Sequence, residues 1–180
     1  MIDSRTHFDI PLEQLNTLLA KSGLRLELLV IGAFALQLHK FSGQFTADVD
    51  SVWVIENDTV RNLIAEIGRQ NSLSDDWIND SAATLDLPIG MTERAELFRK
   101  YSNIDLFVAS RLDLIKLKAR AYLHRGELDP KDIEDLRRMR PTRPEIEEAI
   151  AFIRLSSTPP EPDLFPDFED RILEIANVAT

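Results

Sequence analysis

The sequence predicts an α+β fold, a mixed β-sheet with packed helices, followed by a helical C-terminal portion. Three observations predict it. Before residue 56 a strand-like apolar stretch, a glycine, a helical stretch and a second β-branched stretch succeed one another. A strand pair over residues 96–109 follows a long polar segment. Beyond residue 110 the apolar spacing turns helical and strand signals stop. The expected division is an α/β core over residues 1–110, a helical subdomain packed on it over 111–157, and a Pro-rich linker with a terminal helix over 158–180.

In chain order, Leu12, Leu15, Leu18 and Leu19 recur at helical spacing between Pro11 and Gly23, which predicts a helix over 11–22. Residues 24–31 end in the apolar run Leu28 to Ile31 and read as a strand; Gly32 then turns the chain into a helix over 33–40. After a loop over 41–47, residues 49–55 read as a strand rich in β-branched residues. Asp58 reads as the N-cap of a helix over 59–70. Residues 71–93 are polar and irregular, with a strand signal around 85–87. Paired strands over 96–100 and 103–109 precede helices over 111–125, 130–139 and 145–155. The Pro-rich stretch 158–166 leads to a last helix over 168–176, which can dock on this chain or on a partner.

With 180 residues, 44% of them hydrophobic, the chain can bury a core of its own. Its apolar runs are too short for a membrane span and its N-terminus lacks the layout of a signal peptide, so a cytoplasmic location is expected. The absence of cysteine excludes disulfides, thiolate zinc sites and cysteine nucleophiles. A net charge of -10 argues against broad electrostatic attraction to nucleic acid. A polyanionic substrate must therefore be met locally. Gly32 and Gly43 do not make a phosphate loop of the G-x-x-x-x-G-K type, and His7, His39 and His124 lack metal-ligand spacing.

Asp48 and Asp50 carry the chemistry. Residues two apart on a strand share a face, so both carboxylates can meet one hard cation, which takes oxygen ligands and keeps substrate phosphates in its shell. Asp105 stands in the apolar strand Ile104 to Val108, where an unpaired carboxylate is costly. If its strand neighbours that of Asp50, three acids converge. Asp-x-Asp alone is a weak motif that better fits two solvated acids at a strand entrance, but here it follows an apolar strand, a glycine turn and a helix whose first N–H groups can face phosphate.

The run VIGAFALQLHKFSGQFTADVDSVWVI resembles the signature of the DNA polymerase beta-type nucleotidyltransferase superfamily, a Gly-Gly or Gly-Ser turn opening a helix and a T-x-D-x-D strand. Asp76-Trp77-Ile78-Asn79-Asp80 is similar to a Trp-Leu-Asn-Asp element of small bacterial nucleotidyltransferase-like proteins, and DLIKLKARAYLHRGELDPKDIEDL resembles helices of abortive-infection-type nucleotidyltransferase toxins. The resemblance implies a nucleotidyltransferase-like core. It implies Asp48, Asp50 and Asp105 as catalytic metal ligands of a two-ion Mg²⁺ site, with Asp105 as base toward the attacking hydroxyl. Gly32 and Ala33 would form the phosphate turn, Lys118 would face the triphosphate and Asp132 would support it. An NTP would be the substrate, RNA (a tRNA end in particular) or a protein the acceptor, and an antitoxin a partner in a toxin-antitoxin or phage-defence setting.

Other readings stand beside these. Lys118 also fits a solvated helix position, Asp132 a first-turn helix-dipole role, and Trp77 plain packing, with Asn79 and Asp80 capping or turning the next loop. Ala33 stands where the family commonly has Gly or Ser, and Ala47 where Lys or Arg is frequent. These departures support a second function class, a catalytically weakened binding protein on the same fold that acts as an antitoxin-like or scaffold partner.

Overall fold

The computed structural model describes residues 6–41, 45–125, 130–156 and 165–178. They fall into two compact units, one drawn from Met1–Leu85 and Thr92–Ala109, the other from Asp86–Met91 and Ser110–Thr180.

The first unit opens with α1, Asp9–Ser22, which buries Leu12, Leu15 and Leu19 completely and ends at Gly23 in the left-handed conformation. It starts before the expected residue 11 because Pro11 falls in the first turn, where the missing N–H has no helical acceptor anyway. β1, Leu26–Val30, is buried except at Glu27. The extended Ile31 leads into Gly32 at φ +67° and α2, Gly32–Leu38. His39 closes α2, and its Nε2 donates to the carbonyl of Ala109 at 2.9 Å. That fixes it in a structural role.

β4, Glu96–Lys100, and β5, Ile104–Val108, form a hairpin with an irregularity between Leu97 and Arg99; β5 also pairs in parallel with β1, setting Asp105 opposite Glu27 and Val108 opposite Val30. The short strands β2, Val49–Asp50, and β3, Ile78–Asn79, run parallel with Asp50 opposite Asn79. An antiparallel bridge from Ser51 to Val30 sets β2 beside β1. There the Ile31 N–H donates to the Asp50 carbonyl and the Val52 N–H to that of Leu29, both at 3.0 Å. Even-numbered residues of β1 bond β5 while Leu29 and Ile31 bond β2, so β1 lies between them, and the sheet is mixed as expected.

Three local expectations change. β2 is only two residues long, against the expected 49–55, because the Ser51 hydroxyl accepts from the Trp53 N–H at 3.2 Å and turns the backbone away from the ladder. α3, Asp58–Gln70, is capped by Asn57, whose Oδ1 accepts from the N–H groups of Thr59 and Val60 at 2.8 and 3.3 Å; Asp58 is the first helical residue, where its charge favours the dipole. Residues 85–87 form no strand. Trp77 is wholly buried and its indole N–H donates to the Ile64 carbonyl at 2.9 Å, so packing is its role.

The second unit consists of α4, Arg111–Arg125, α5, Lys131–Met139, α6, Arg143–Arg154, and α7, Phe165–Val178, with Asp86–Met91 beside them. Thr142 and Glu145 form a capping box that starts α6 ahead of the expected 145. α7 buries Phe168, Ile172 and Ile175, with Phe168 against Tyr122 of α4 at a ring separation of 6.0 Å. The expected linker over 158–166 lies largely outside the described residues, as does the middle of the loop over 41–47. No helix among the described residues is long and apolar enough to cross a membrane.

Candidate functional site

Asp50 ends β2 directly beside the turn from β1 into α2. Its carboxylate lies so close to Gly32 that a Cβ built there would sit 2.6 Å from Oδ2. Gly32 is therefore required twice over, for its positive φ and for this approach. Oδ1 of Asp50 accepts from Nδ2 of Asn79, its cross-strand neighbour on β3, at 3.2 Å.

Asp48 precedes β2. Val49 between the two acids is fully buried while Asp48 and Asp50 are both half-buried, the alternation expected if the acids share the open side. Thr46 holds Asp48 by donating its hydroxyl to Oδ1 at 3.1 Å, and His7 in turn donates Nε2 to the Thr46 carbonyl at 2.8 Å. His7 is thus an anchor of the acidic loop. The sequence offered no signal for it, because the contact spans 39 residues.

Asp105 does not join them. The residue of β1 opposite Asp105 is Glu27, whereas the one opposite Asp50 is Ile31. These positions lie on one face of the sheet but four residues apart, about 13 Å at roughly 3.3 Å per residue. Asp105 is 7% exposed and is met by Arg25 at 3.0 Å and Lys100 at 3.8 Å. Arg25 and Lys100 pair this carboxylate, so its place in an apolar strand is accounted for without a shared site.

Of the two strands beside Asp50's, β1 sets Ile31 opposite it and β3 sets Asn79, neither of them an acid. Asp80, next in sequence, faces elsewhere: its Oδ2 accepts from the buried Ile55 N–H at 2.8 Å and from Arg61 at 2.6 Å. The bond from Arg61 holds the Asp80 carboxyl below its usual range, against the effect of burial and with help from the Ile55 N–H.

Gly32 and Ala33 occupy the first turn of α2, where backbone N–H groups have no intrahelical acceptor. Lys118 and Asp132, also expected at the site, meet each other in the second unit at 3.0 Å. Lys118 further contacts Asp135 at 2.7 Å, and Arg125 reaches Asp132 at 2.7 Å. With Asp132 and Asp135 1% and 2% exposed, this is a buried ion network between α4 and α5.

Among the described residues no group of three or more His, Cys, Asp or Glu side chains could hold a metal ion. Two carboxylates are nevertheless a sufficient protein contribution for a hard cation that keeps waters and substrate phosphates as its other ligands. The chemistry of Asp48 and Asp50 fits that role, and Gly32 leaves room for the Asp50 carboxylate that Asn79 orients.

A family model described as "Nucleotidyltransferase of unknown function (DUF6036)" matches residues 9–140. No curated protein and no solved structure matches the chain.

Proposed function

The chain belongs to the nucleotidyltransferase family DUF6036, and from that premise we propose that it transfers a nucleoside monophosphate from an NTP to a hydroxyl of RNA, such as a tRNA end, or of a protein. The observation that carries this reading is the seating of the Asp50 carboxylate against Gly32 at the start of α2, with Asp48 two residues before it. Asp48 and Asp50 would hold Mg²⁺, which would neutralise the triphosphate and stabilise charge on the attacking and leaving oxygens. Gly32 leaves room for the acid, and the first-turn N–H groups of Ala33 and Phe34 can meet phosphate oxygens. The acceptor oxygen bonds the α-phosphorus as the bond to the β-phosphate oxygen breaks, pyrophosphate leaves, and the hydroxyl proton passes to water. The resemblance of the α4–α5 segment to abortive-infection-type nucleotidyltransferases supports a toxin role with an antitoxin partner.

Incubation of the protein with each labelled NTP, Mg²⁺, total RNA and total cell protein tests the reading. Label transfer that Asp48→Ala and Asp50→Ala abolish is the expected result. No transfer from any NTP to RNA or protein would refute it. The neutral Asn79 opposite Asp50 favours a second reading, a nucleotidyltransferase-fold binding protein with weakened catalysis, an antitoxin-like or scaffold partner. Under that reading nucleotide binds and no label moves.

A further inference from the structure

Asn79 is the residue on which the site turns. It sits directly across β2–β3 from Asp50, and its amide orientation is fixed by a neighbour that can act in only one way. The Ser81 backbone N–H can only donate, and it donates to Oδ1 of Asn79 at 3.1 Å; the Ser81 hydroxyl binds the same oxygen. Nδ2 is thereby turned to Asp50, where it donates at 3.2 Å. Asp80 is tied to Ile55 and Arg61, and Asp105 to Arg25 and Lys100, so neither supplies the missing acid.

We propose that Asn79 is the positioning residue of the cation site: its amide aims the Asp50 carboxylate and fills, with a neutral group, the place across from Asp50 where a third acid would stand, so that the nucleotide-free chain binds one divalent cation. The inference rests on the cation role of Asp48 and Asp50 proposed above. A carboxylate lying across from Asp50 would be a third ligand and raise the site's affinity; an amide that donates to Asp50 instead spends its hydrogen on orienting an existing ligand.

The test is Mn²⁺ titration of the full chain without nucleotide, with free ion read by electron paramagnetic resonance. The wild type is expected to bind one ion per chain, and Asp50→Asn to weaken it about tenfold or more. Asn79→Ala, which leaves the acid unaimed, is expected to weaken binding about tenfold, and the isosteric Asn79→Asp to tighten it about tenfold or to add a second ion. A purely structural role for Asn79 predicts no gain in the aspartate variant. Two strong ions in the wild type, no ion at all, or an Asn79→Asp affinity equal to wild type overturns the proposal, and where the aspartate variant fails to fold, a wild-type affinity in Asn79→Ala overturns it. The labelled-NTP assay is read separately. The expected Mn²⁺ pattern without label transfer supports the role of Asn79 while removing the transferase reading; label transfer with the opposite pattern removes only the role of Asn79.

Discussion

Replacing Gly32 with alanine brings two separable costs. The residue sits at φ +67°, and an L side chain in that region costs about 1–2 kcal/mol. The new methyl would also stand 2.6 Å from Oδ2 of Asp50, well inside contact distance, so the carboxylate must rotate. Rotation breaks its bond from Asn79, a hydrogen bond to a charged group worth about 1.5–3 kcal/mol. Gly32→Ala is therefore expected to destabilise the first unit by about 2.5–5 kcal/mol. Both tryptophans, Trp53 and Trp77, lie in that unit, so urea unfolding followed by tryptophan fluorescence reports on it directly. In an Asp50→Ala background the obstacle is gone and only the backbone cost of about 1–2 kcal/mol should remain. The double-mutant cycle should show a coupling of about 1.5–3 kcal/mol. A Gly32→Ala cost that is the same in both backgrounds would refute the close approach of the acid to the turn.

Other expected outcomes follow from the ion pairs. Asp105→Asn should leave Mn²⁺ affinity within about twofold of wild type, since Asp105 sits away from the acidic pair; a loss matching Asp50→Asn would restore it to the site. Lys118→Met leaves Asp132 and Asp135 without their shared cation and should destabilise the second unit by about 3 kcal/mol, the lower end of the usual range because Arg125 and Arg138 remain. A urea midpoint of helical circular dichroism unchanged from wild type would contradict that network. The Asp80 carboxyl is held below its ordinary 3.8 chiefly by Arg61, so the unfolded chain takes up this proton first as pH falls. Its stabilisation is present above pH 3.8 and is lost as pH falls below that value through the native one. Asp80→Asn should flatten this part of the stability profile, and an unaltered acid limb would contradict the assignment.

The sequence was most legible where structure is decided locally. Leucine spacing and a closing glycine define α1, and an apolar run meeting Gly32 defines the turn, because each is a matter of residues within one or two helical turns. The end of β2 was hidden in a hydroxyl: Val52 and Val54 extend the β-branched pattern, but the Ser51 side chain bonds Trp53 and diverts the chain. Asp105 takes its place through a distant contact. That an acid in an apolar strand needs partners is a sound inference, but Arg25 lies 80 residues away, and only strand register shows that it arrives there. The same non-local pairing brings Asn79 opposite Asp50 from a segment without periodicity. Acid identity could be read from the sequence; how far along the sheet Asp105 lies from Asp50 follows only from strand register.

The neutral amide at position 79 also bears on how the protein stands without its cation. Like charges directly opposite on neighbouring strands are destabilising by up to about 1 kcal/mol, and converting Asn79 to aspartate also removes the donor to Asp50, worth about 1.5–3 kcal/mol. Metal-free Asn79→Asp should thus unfold at lower urea than wild type, by about 2–4 kcal/mol. A cation bound only by the folded state returns about 2.7 kcal/mol at 100 times its Kd, enough to offset much of that deficit. The variant should accordingly depend on Mn²⁺ for its stability far more than wild type does, and equal metal-free stabilities would show that no charge is confronted across β2 and β3. If the two outcomes hold together, Asn79 exchanges cation affinity for a site that stays folded when empty, a balance in which a weaker cation site is the consequence of a more stable strand pair.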